Sequence, residues 1–499
     1  MLAAVREAVG PDFPVWVKID SREVGKKGGI ALEDAKVAAL AFEASGADGI
    51  AVSAYHETGS GKLHSESNIP HIENTNLPAA AAIKREVGIP IIASGRVEVD
   101  TADRTIAEDG ADFIAMGRKL LADPFLPAKL AAGTPEKVRP CIYCYTCVSA
   151  IYAGIPSRCA VNADLSFEFA RGGAKGPQRH FAIVGAGPGG MEAARRLAEI
   201  GHKVTLIEKS DRLGGTLRFA SLAYEPNERL LNWLRREVTE ADIDLLLSTE
   251  ATPELLRGLA PDQIIVATGA RRDMPAILGS DLPHVFSGDD MRRMMLGESS
   301  DELKRKTGLF TRLATKISAA TGATANLKLV RKATRTWMPL GERIVIVGGE
   351  LVGIELAEFL QERGRKVTVV DDMPRFGKGL TIVRRMRMLA ELAEHGVGLF
   401  PSASEIIITR EAVGFNDSEG QPQAIPADHV IVAKGATGDV RLAEILRASG
   451  FPVYIVGDAN GVGYIEGAIR GAANLVGGLT GTGSHAGATG ELVGAAANI

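Results

Sequence analysis

All four cysteines of this 499-residue chain fall between positions 141 and 159: Cys141, Cys144, Cys147 and Cys159. Three are spaced C-x2-C-x2-C, and the fourth follows after eleven residues. One tight loop carrying that run sets three thiolates around a single centre, and the next turn delivers the fourth. That is the spacing of an iron–sulfur cluster of the 4Fe–4S type. Structural zinc draws more often on separated C-x2-C pairs or on His, and no His lies in this stretch. Zinc and unliganded core thiols are the alternatives. A cluster stores one electron at a time, so other redox centres are expected on either side.

Downstream, the apolar run FAIV (181–184) leads into Gly185-Ala-Gly187-Pro-Gly-Gly190, the helical stretch MEAARRLAEIGH and a second strand, VTLIE, ending at Glu208. This is a dinucleotide fingerprint in its full context. Gly185 permits the tight turn, Gly187 lets a pyrophosphate approach the backbone, and Gly190 lets helix pack on strand. Glu208, eighteen residues beyond Gly190, is placed to accept hydrogen bonds from a ribose. The pattern recurs at 343–371, where RIVIV, GGELVGIELAEFLQERGR and VTVVD end at Asp371. Gly348 and Gly353 hold the first and third glycine positions, but Glu350 replaces the second. A carboxylate there repels a pyrophosphate unless it points away or is protonated. Asp371 and Asp372 favour NADH over NADPH, because a 2′-phosphate would meet negative charge. A nucleotide fold kept for structure alone is the bland reading.

The elements that position these groups are alternating strands and helices. Before the cysteines, strands are expected at VWVKID (15–20), GIAVSA (49–54), PIIASG (90–95) and DFIAMG (112–117), with helices near 31–46, 78–88, 99–110 and 123–133. This is a (β/α)4 series, whereas a closed parallel barrel needs eight strands and typically about 250 residues. Gly95-Arg96 and Gly117-Arg118 close the last two strands. In such barrels the loops after the seventh and eighth strands are the usual phosphate site. Lys18 sits on the first strand, where a cation could face the N1/C2=O edge of a flavin. Surface ion pairing is the plain alternative for the arginines. IIVATGA (264–270) and VIVAKGA (430–436) read as strand ends where the chain crosses between two nested nucleotide domains.

A net charge of −4 gives no sign of nucleic-acid or anionic-membrane binding. The N-terminus carries charges inside its apolar stretch, and no apolar run approaches the ~20 residues of a membrane span. Clustered thiols without an export signal point to the cytoplasm.

The order barrel end, GR-LLADP, PCIYCYTC, VGAGPGG resembles the old yellow enzyme-related iron–sulfur flavoenzymes: 2,4-dienoyl-CoA reductase, 2-enoate reductase and trimethylamine dehydrogenase. The fold this implies is α/β: the C-terminal half of a TIM (β/α)8 barrel, an iron–sulfur loop, and two nested Rossmann-like FAD and NAD(P) domains. The expected divisions are a half-barrel over 1–140, a cluster segment and linker over 141–177, and the first segment of the FAD domain over 178–270. A connecting segment over 271–341, the NAD(P)H domain over 342–435 and the returning segment of the FAD domain over 436–499 complete the chain. The resemblance implies FMN in the barrel, held by Lys18, Arg96, Gly117 and Arg118, FAD at the first fingerprint, and NADH or NADPH at the second. VYIVGDA resembles the flavin-binding close of two-dinucleotide-domain flavoproteins, where an Asp, here Asp458, holds the ribitol chain. His56, in Ala54-Tyr55-His56-Glu57, stands in a context similar to the catalytic His of the dienoyl reductases, with His64 as a competitor. The family's other proton donor, a Tyr on the fourth barrel strand, has no counterpart to assign.

The opening LAAVREAVGPDFPV reads as the end of a helix leading into strand five. A fragment or late start is therefore expected, with a homo-oligomer or a completing N-terminal polypeptide as partner. An open half-barrel exposes strand edges and its apolar interior, so the isolated chain is expected to associate and to be inactive toward enoates. The leading expectation is an NAD(P)H-dependent reductase of activated C=C bonds acting on a small molecule. The alternatives are an amine dehydrogenase of the trimethylamine dehydrogenase type, favoured by the C-x2-C-x2-C spacing, and a non-catalytic electron-transfer remnant.

Overall fold

In a computed structural model, residues 1–24, 26–56, 73–168, 177–272, 274–298, 300–307 and 326–479 are described. The chain divides into two compact units, Met1–Leu120 and Leu121–Ile499.

In the first unit a helix, Leu2–Val9, precedes four parallel strands, Trp16–Val24, Gly49–His56, Ile91–Ser94 and Phe113–Ala115, hydrogen-bonded in sequence order. Helices Leu32–Ala44, Leu77–Lys84 and Val99–Ala107 make the crossovers. Strand residues alternate between faces. Ile19, Ile50, Val52, Ile91 and Ala93 pack with Ala35, Ala39, Ala80 and Ile83 from the helices. On the other face, the Trp16 ring lies over Gly49, where a Cβ would stand 2.5 Å from it. Trp16 also meets Phe113 of the far edge strand edge-on at 5.7 Å. Two edge strands whose rings touch require a strongly curled sheet, the curvature of a barrel wall. The short helix expected at 123–133 is Leu126–Ala131, and a further short helix, Gly117–Ala122, precedes it, the two parted at Asp123-Pro124. Proline's missing N–H and the bias it imposes on the preceding residue explain the break.

The second unit holds two parallel five-stranded sheets. One orders Val453–Ile455, Gln263–Val266, His180–Val184, Lys203–Ile207 and Ile243–Leu246. The other orders Val285–Ser287, His429–Val432, Arg343–Val347, Lys366–Val370 and Gly398–Phe400. Both are buried on both faces, which is why their strands read as continuous apolar runs. In the second sheet, Val345, Val347, Val430 and Val432 pack on Ile408, Val413 and Phe415 of an antiparallel three-stranded sheet. The two crossings between the nested sheets pair with each other, Ala270–Arg272 running antiparallel to Ala436–Gly438. The stretch 271–341, expected only to connect, supplies Val285–Ser287 as an edge strand of the second sheet. Among the described residues, no helix is long and apolar enough to cross a membrane.

Candidate redox site: two dinucleotide turns and a four-cysteine loop

At the first turn, Gly185 has φ +103°, and a Cβ there would stand 2.6 Å from the Ala267 carbonyl oxygen. A Cβ on Gly190 would lie 1.9 Å from the Gly185 carbonyl oxygen. Only glycine lets the helix Pro188–Glu199 approach the strand this closely. Around Gly187 nothing lies within 4 Å of the Cβ position, which leaves an open cradle at the start of the helix, where N–H groups favour an anion. Glu208 accepts from the backbone N–H of Ala186 at 2.8 Å and of Ser210 at 2.9 Å, so its carboxylate is fixed at the end of the next strand. Asp458, in the short turn Gly457–Ala459, accepts from the Gly463 N–H at 2.9 Å. Burial pushes its carboxyl upward. The open cradle and the fixed carboxylates fit a dinucleotide flavin.

The second turn repeats the backbone. Gly348 has φ +120°, and a Cβ on Gly353 would lie 1.9 Å from the Gly348 carbonyl oxygen. Asp371 accepts from the Gly349 N–H at 2.5 Å, as Glu208 does from Ala186. Side chains differ where the backbone does not. The bond Gly214 N–H to Ala186 C=O (2.8 Å) is matched by Gly377 N–H to Gly349 C=O (2.7 Å), so Lys378 stands where the first copy has Gly215. Lys378 Nζ lies 3.3 Å from Glu350 Oε1. The carboxylate that replaces the second glycine therefore carries its own counter-charge. Lys434 occupies the place of Thr268, and its Nζ lies 2.7 Å from Asp371 and 2.6 Å from Asp372. Burial works against its charge, but the two carboxylates outweigh it and hold the ammonium above its usual range. Asp371 and Asp372 thus do not form the unopposed acidic wall expected against a 2′-phosphate.

The cysteine loop turns through Tyr143 (φ +51°) and Tyr145 (φ +61°), two buried residues in the left-handed region. Residues in that region reverse the chain locally, which lets the flanking thiols share a side. The Tyr143 N–H donates to Cys141 Sγ at 3.4 Å. Burial pushes the Cys159 thiol up to about 12, and the neighbouring Cys144 and Cys141 add to the rise. Thiols gathered in this way ionise only against a cationic centre, the requirement a metal cluster meets. Among the described residues, no three His, Cys, Asp or Glu side chains converge closely enough for one metal ion. A cube of four irons takes one thiolate per corner and asks for a wider set than zinc does.

Sequence-distant residues brace this loop. Thr381 Oγ1 donates to the Cys144 carbonyl at 2.8 Å, and the Tyr224 hydroxyl donates to the Tyr143 carbonyl at 3.0 Å. Buried Arg384 lies over the Tyr224 ring, 3.9 Å from its centroid. Spacing pointed to none of Lys378, Lys434, Tyr224, Thr381 or Arg384. A cavity of about 1540 Å³ joins the elements of this unit, with Gly187, Glu208, Asp458, Glu350, Lys434 and Cys144 in its wall.

In the first unit Lys18 is exposed on the strand Trp16–Val24. Gly95 (φ +110°) and Arg96 (φ +48°) make consecutive left-handed residues after the third strand. Such a pair turns backbone N–H groups toward an anion. Arg96 reaches Glu73 at 3.5 Å. Gly117 and Arg118 open the helix Gly117–Ala122, with open space where a Gly117 Cβ would point. His56 ends the strand Gly49–His56, while Glu57 and His64 lie outside the described residues. The paired left-handed turn and the basic loop ends suit the phosphate of a mononucleotide.

Residues 1–137 match the NADH:flavin oxidoreductase / NADH oxidase family, and residues 179–462 match the pyridine nucleotide-disulphide oxidoreductase family. The chain is 30% identical over 476 residues to a bilirubin reductase of Mediterraneibacter gnavus, covering 91% of this chain and 66% of the relative. It is 30% identical over 480 residues to an NADH oxidase of Thermoanaerobacter brockii, covering 94% and 67%. A solved 2-naphthoyl-CoA reductase, in complex with 2-naphthoyl-CoA, superposes with a TM-score of 0.80 at 26% identity, over 95% of this chain and 66% of that one. The chain thus spans about two thirds of the length of these relatives.

Proposed function

Because the chain belongs to the old yellow enzyme-related iron–sulfur flavoenzymes, a family of oxidoreductases, we propose that it is an NAD(P)H-dependent reductase of activated C=C bonds, of the enoate or dienoyl-CoA type. FMN, FAD, a nicotinamide nucleotide and a 4Fe–4S cluster are the cofactors of this family. The observation that carries the reading is the shared cavity, which receives the first and second dinucleotide turns and Cys144 together.

In this reading Gly185, Gly187, Gly190, Glu208 and Asp458 hold FAD, and Gly348, Gly353 and Asp371 hold the nicotinamide nucleotide. Cys141, Cys144, Cys147 and Cys159 ligate the cluster. Lys18 sets its charge toward the flavin ring of FMN, Arg96, Gly117 and Arg118 take its phosphate, and His56 supplies a proton to the substrate α-carbon. Bound there, the cofactors supply hydride and single-electron transfer from nicotinamide to substrate. The chain's own work is orientation, exclusion of water and placement of charge. A reversed flow, from an amine to an external acceptor, is favoured by one observation, the C-x2-C-x2-C spacing.

The test is anaerobic. NADH should bleach the flavin absorbance of the purified protein, and an enoate should restore it once a polypeptide supplying four further βα units completes the barrel. A flavin reduced by a methylated amine and left oxidised by NADH would reverse the assignment.

A further inference from the structure

Arg384 is a buried cation that none of the roles above uses. It sits on the helix Ile382–Glu394, whose first turn is tied to the cysteine loop by the bond from Thr381 to the Cys144 carbonyl. Its guanidinium lies on the Tyr224 ring, and that tyrosine is itself bonded to the carbonyl of Tyr143. Two fixed contacts therefore hold the cation beside residues 143 and 144.

Its partners do not account for it fully. Nη2 pairs with Glu355 Oε1 at 2.7 Å, while Nε makes no hydrogen bond among the described residues. The residue is only 6% exposed. A buried guanidinium with one donor idle costs stability, so its place leaves room for a second negative group beyond Glu355. Burial works against its charge, but neighbouring carboxylates, Glu355 first, hold the guanidinium above its usual range. Burial pushes the Glu355 carboxyl up, against the pull of Arg384. The cation, stacked on the Tyr224 ring that bonds the Tyr143 carbonyl, is the charge tied to the cysteine loop.

We propose that Arg384 sets the reduction potential of the cluster ligated by Cys141, Cys144, Cys147 and Cys159, by stabilising its more negative, reduced form. The proposal rests on the cluster reading above. Cluster potentials follow net charge, nearby donors and solvent exposure, and a charge as buried as Arg384 is weakly screened. The Tyr224 ring holds the cation in place through its quadrupole, so the field is fixed before reduction.

The experiment is an EPR-monitored potentiometric titration of the full chain, after iron and acid-labile sulfide analysis. Arg384→Gln should move the cluster midpoint to more negative potential, while Arg384→Lys should stay close to the parent. Should Arg384→Gln fail to fold, the paired variant Arg384→Met/Glu355→Gln removes both charges at similar volume. It should still shift negative, by less, because the charge tied to the loop through Tyr224 is lost together with its opposing carboxylate. A variant with full iron and sulfide and an unmoved or more positive midpoint would overturn the proposal. An equal shift in Arg384→Lys and Arg384→Gln would also overturn it, pointing to packing rather than charge. Absence of iron and sulfide from the parent protein would instead sink the cluster reading, and the proposal with it.

Discussion

At the first dinucleotide turn, Gly187 and Gly215 leave the start of the helix Pro188–Glu199 uncovered; at the second, Glu350 and Lys378 fill the same two positions and pair at 3.3 Å. The contrast continues one turn into each helix. Glu192 is buried with Arg195 beside it at 2.8 Å and Arg196 at 2.5 Å. Its counterpart in the second helix is Glu355, and the counterpart of Arg195 is Glu358, so the second pair borrows its cation from Arg384. Burial raises both glutamates. At Glu192 the two arginines overcome it and bring the carboxyl down to about 2; at Glu355 one arginine does not, and the carboxyl stays raised. The glycines that touch backbone are kept in both copies, because there a Cβ collides with a carbonyl. Positions that face the cavity are free to change, and they carry the difference in ligand chemistry.

The most severe test of this contrast moves the second copy's acid into the first. Gly187→Glu should weaken FAD binding by roughly 3 kcal/mol, about 100-fold, because a carboxylate enters the pyrophosphate seat unpaired. Gly187→Glu/Gly215→Lys should recover some of that loss. Flavin per chain in the purified variants reads both. A single variant that keeps its flavin would place the pyrophosphate elsewhere.

Acid stability separates the two buried glutamates. Glu192 has a folded-state value of about 2 against 4.5 unfolded, so its contribution is complete above about pH 4.5 and disappears as pH falls toward 2. That contribution is roughly 3 kcal/mol. Glu355 is raised, so its sign is opposite: the folded state loses stability as pH rises past 4.5. In urea unfolding at pH 7, Glu192→Gln should destabilise the protein and flatten its acid loss, while Glu355→Gln should be close to neutral. Equal effects would mean that the arginines around Glu192 are not its counter-charge.

Lys434→Thr restores the first copy's residue and leaves Asp371 and Asp372 unopposed. The ratio of NADH to NADPH affinity should rise about fivefold, near 1 kcal/mol for a half-screened charge. Titration of each nucleotide against the oxidised protein measures it. A falling ratio would show that Lys434 faces away from the ribose.

Both turns, the cysteine loop and the parallel strands were legible because their logic lies within a short window: glycine spacing, an acid at the next strand end, period-2 burial. What stayed hidden was contact between windows. Thr381 is tied to Cys144 across 237 positions, and Lys434 to Asp371 across 63. No periodicity encodes such pairs. A signal did exist for one of them. Laying GELVGIELAEF over AGPGGMEAARR puts Glu355 on Glu192 and Glu358 on Arg195, which already says that the second helix must find its cation elsewhere. Val285–Ser287 escaped because three residues in a basic stretch are too few to show alternation.

The smallest effect tests Glu350 itself. Read from sequence, its carboxylate opposes a pyrophosphate; in the structure Lys378 answers it, with both side chains well exposed (39% and 49%). An exposed pair of this kind is worth roughly 0.5 kcal/mol, so the acid dampens nucleotide binding without forbidding it. Glu350→Gly should free the Lys378 ammonium to face the phosphates and lower the apparent nicotinamide KM about two- to threefold. Lys378→Ala should raise it by a similar factor, and the double variant should fall between them. The Leu351 N–H is already committed to the Lys378 carbonyl at 2.8 Å, so removing either side chain leaves the backbone of the turn in place. The change in KM therefore reports charge alone, and more added salt should shrink it. An unchanged KM in Glu350→Gly would mean that the second turn seats its ligand away from the helix start, and the likeness between the copies would end at the backbone.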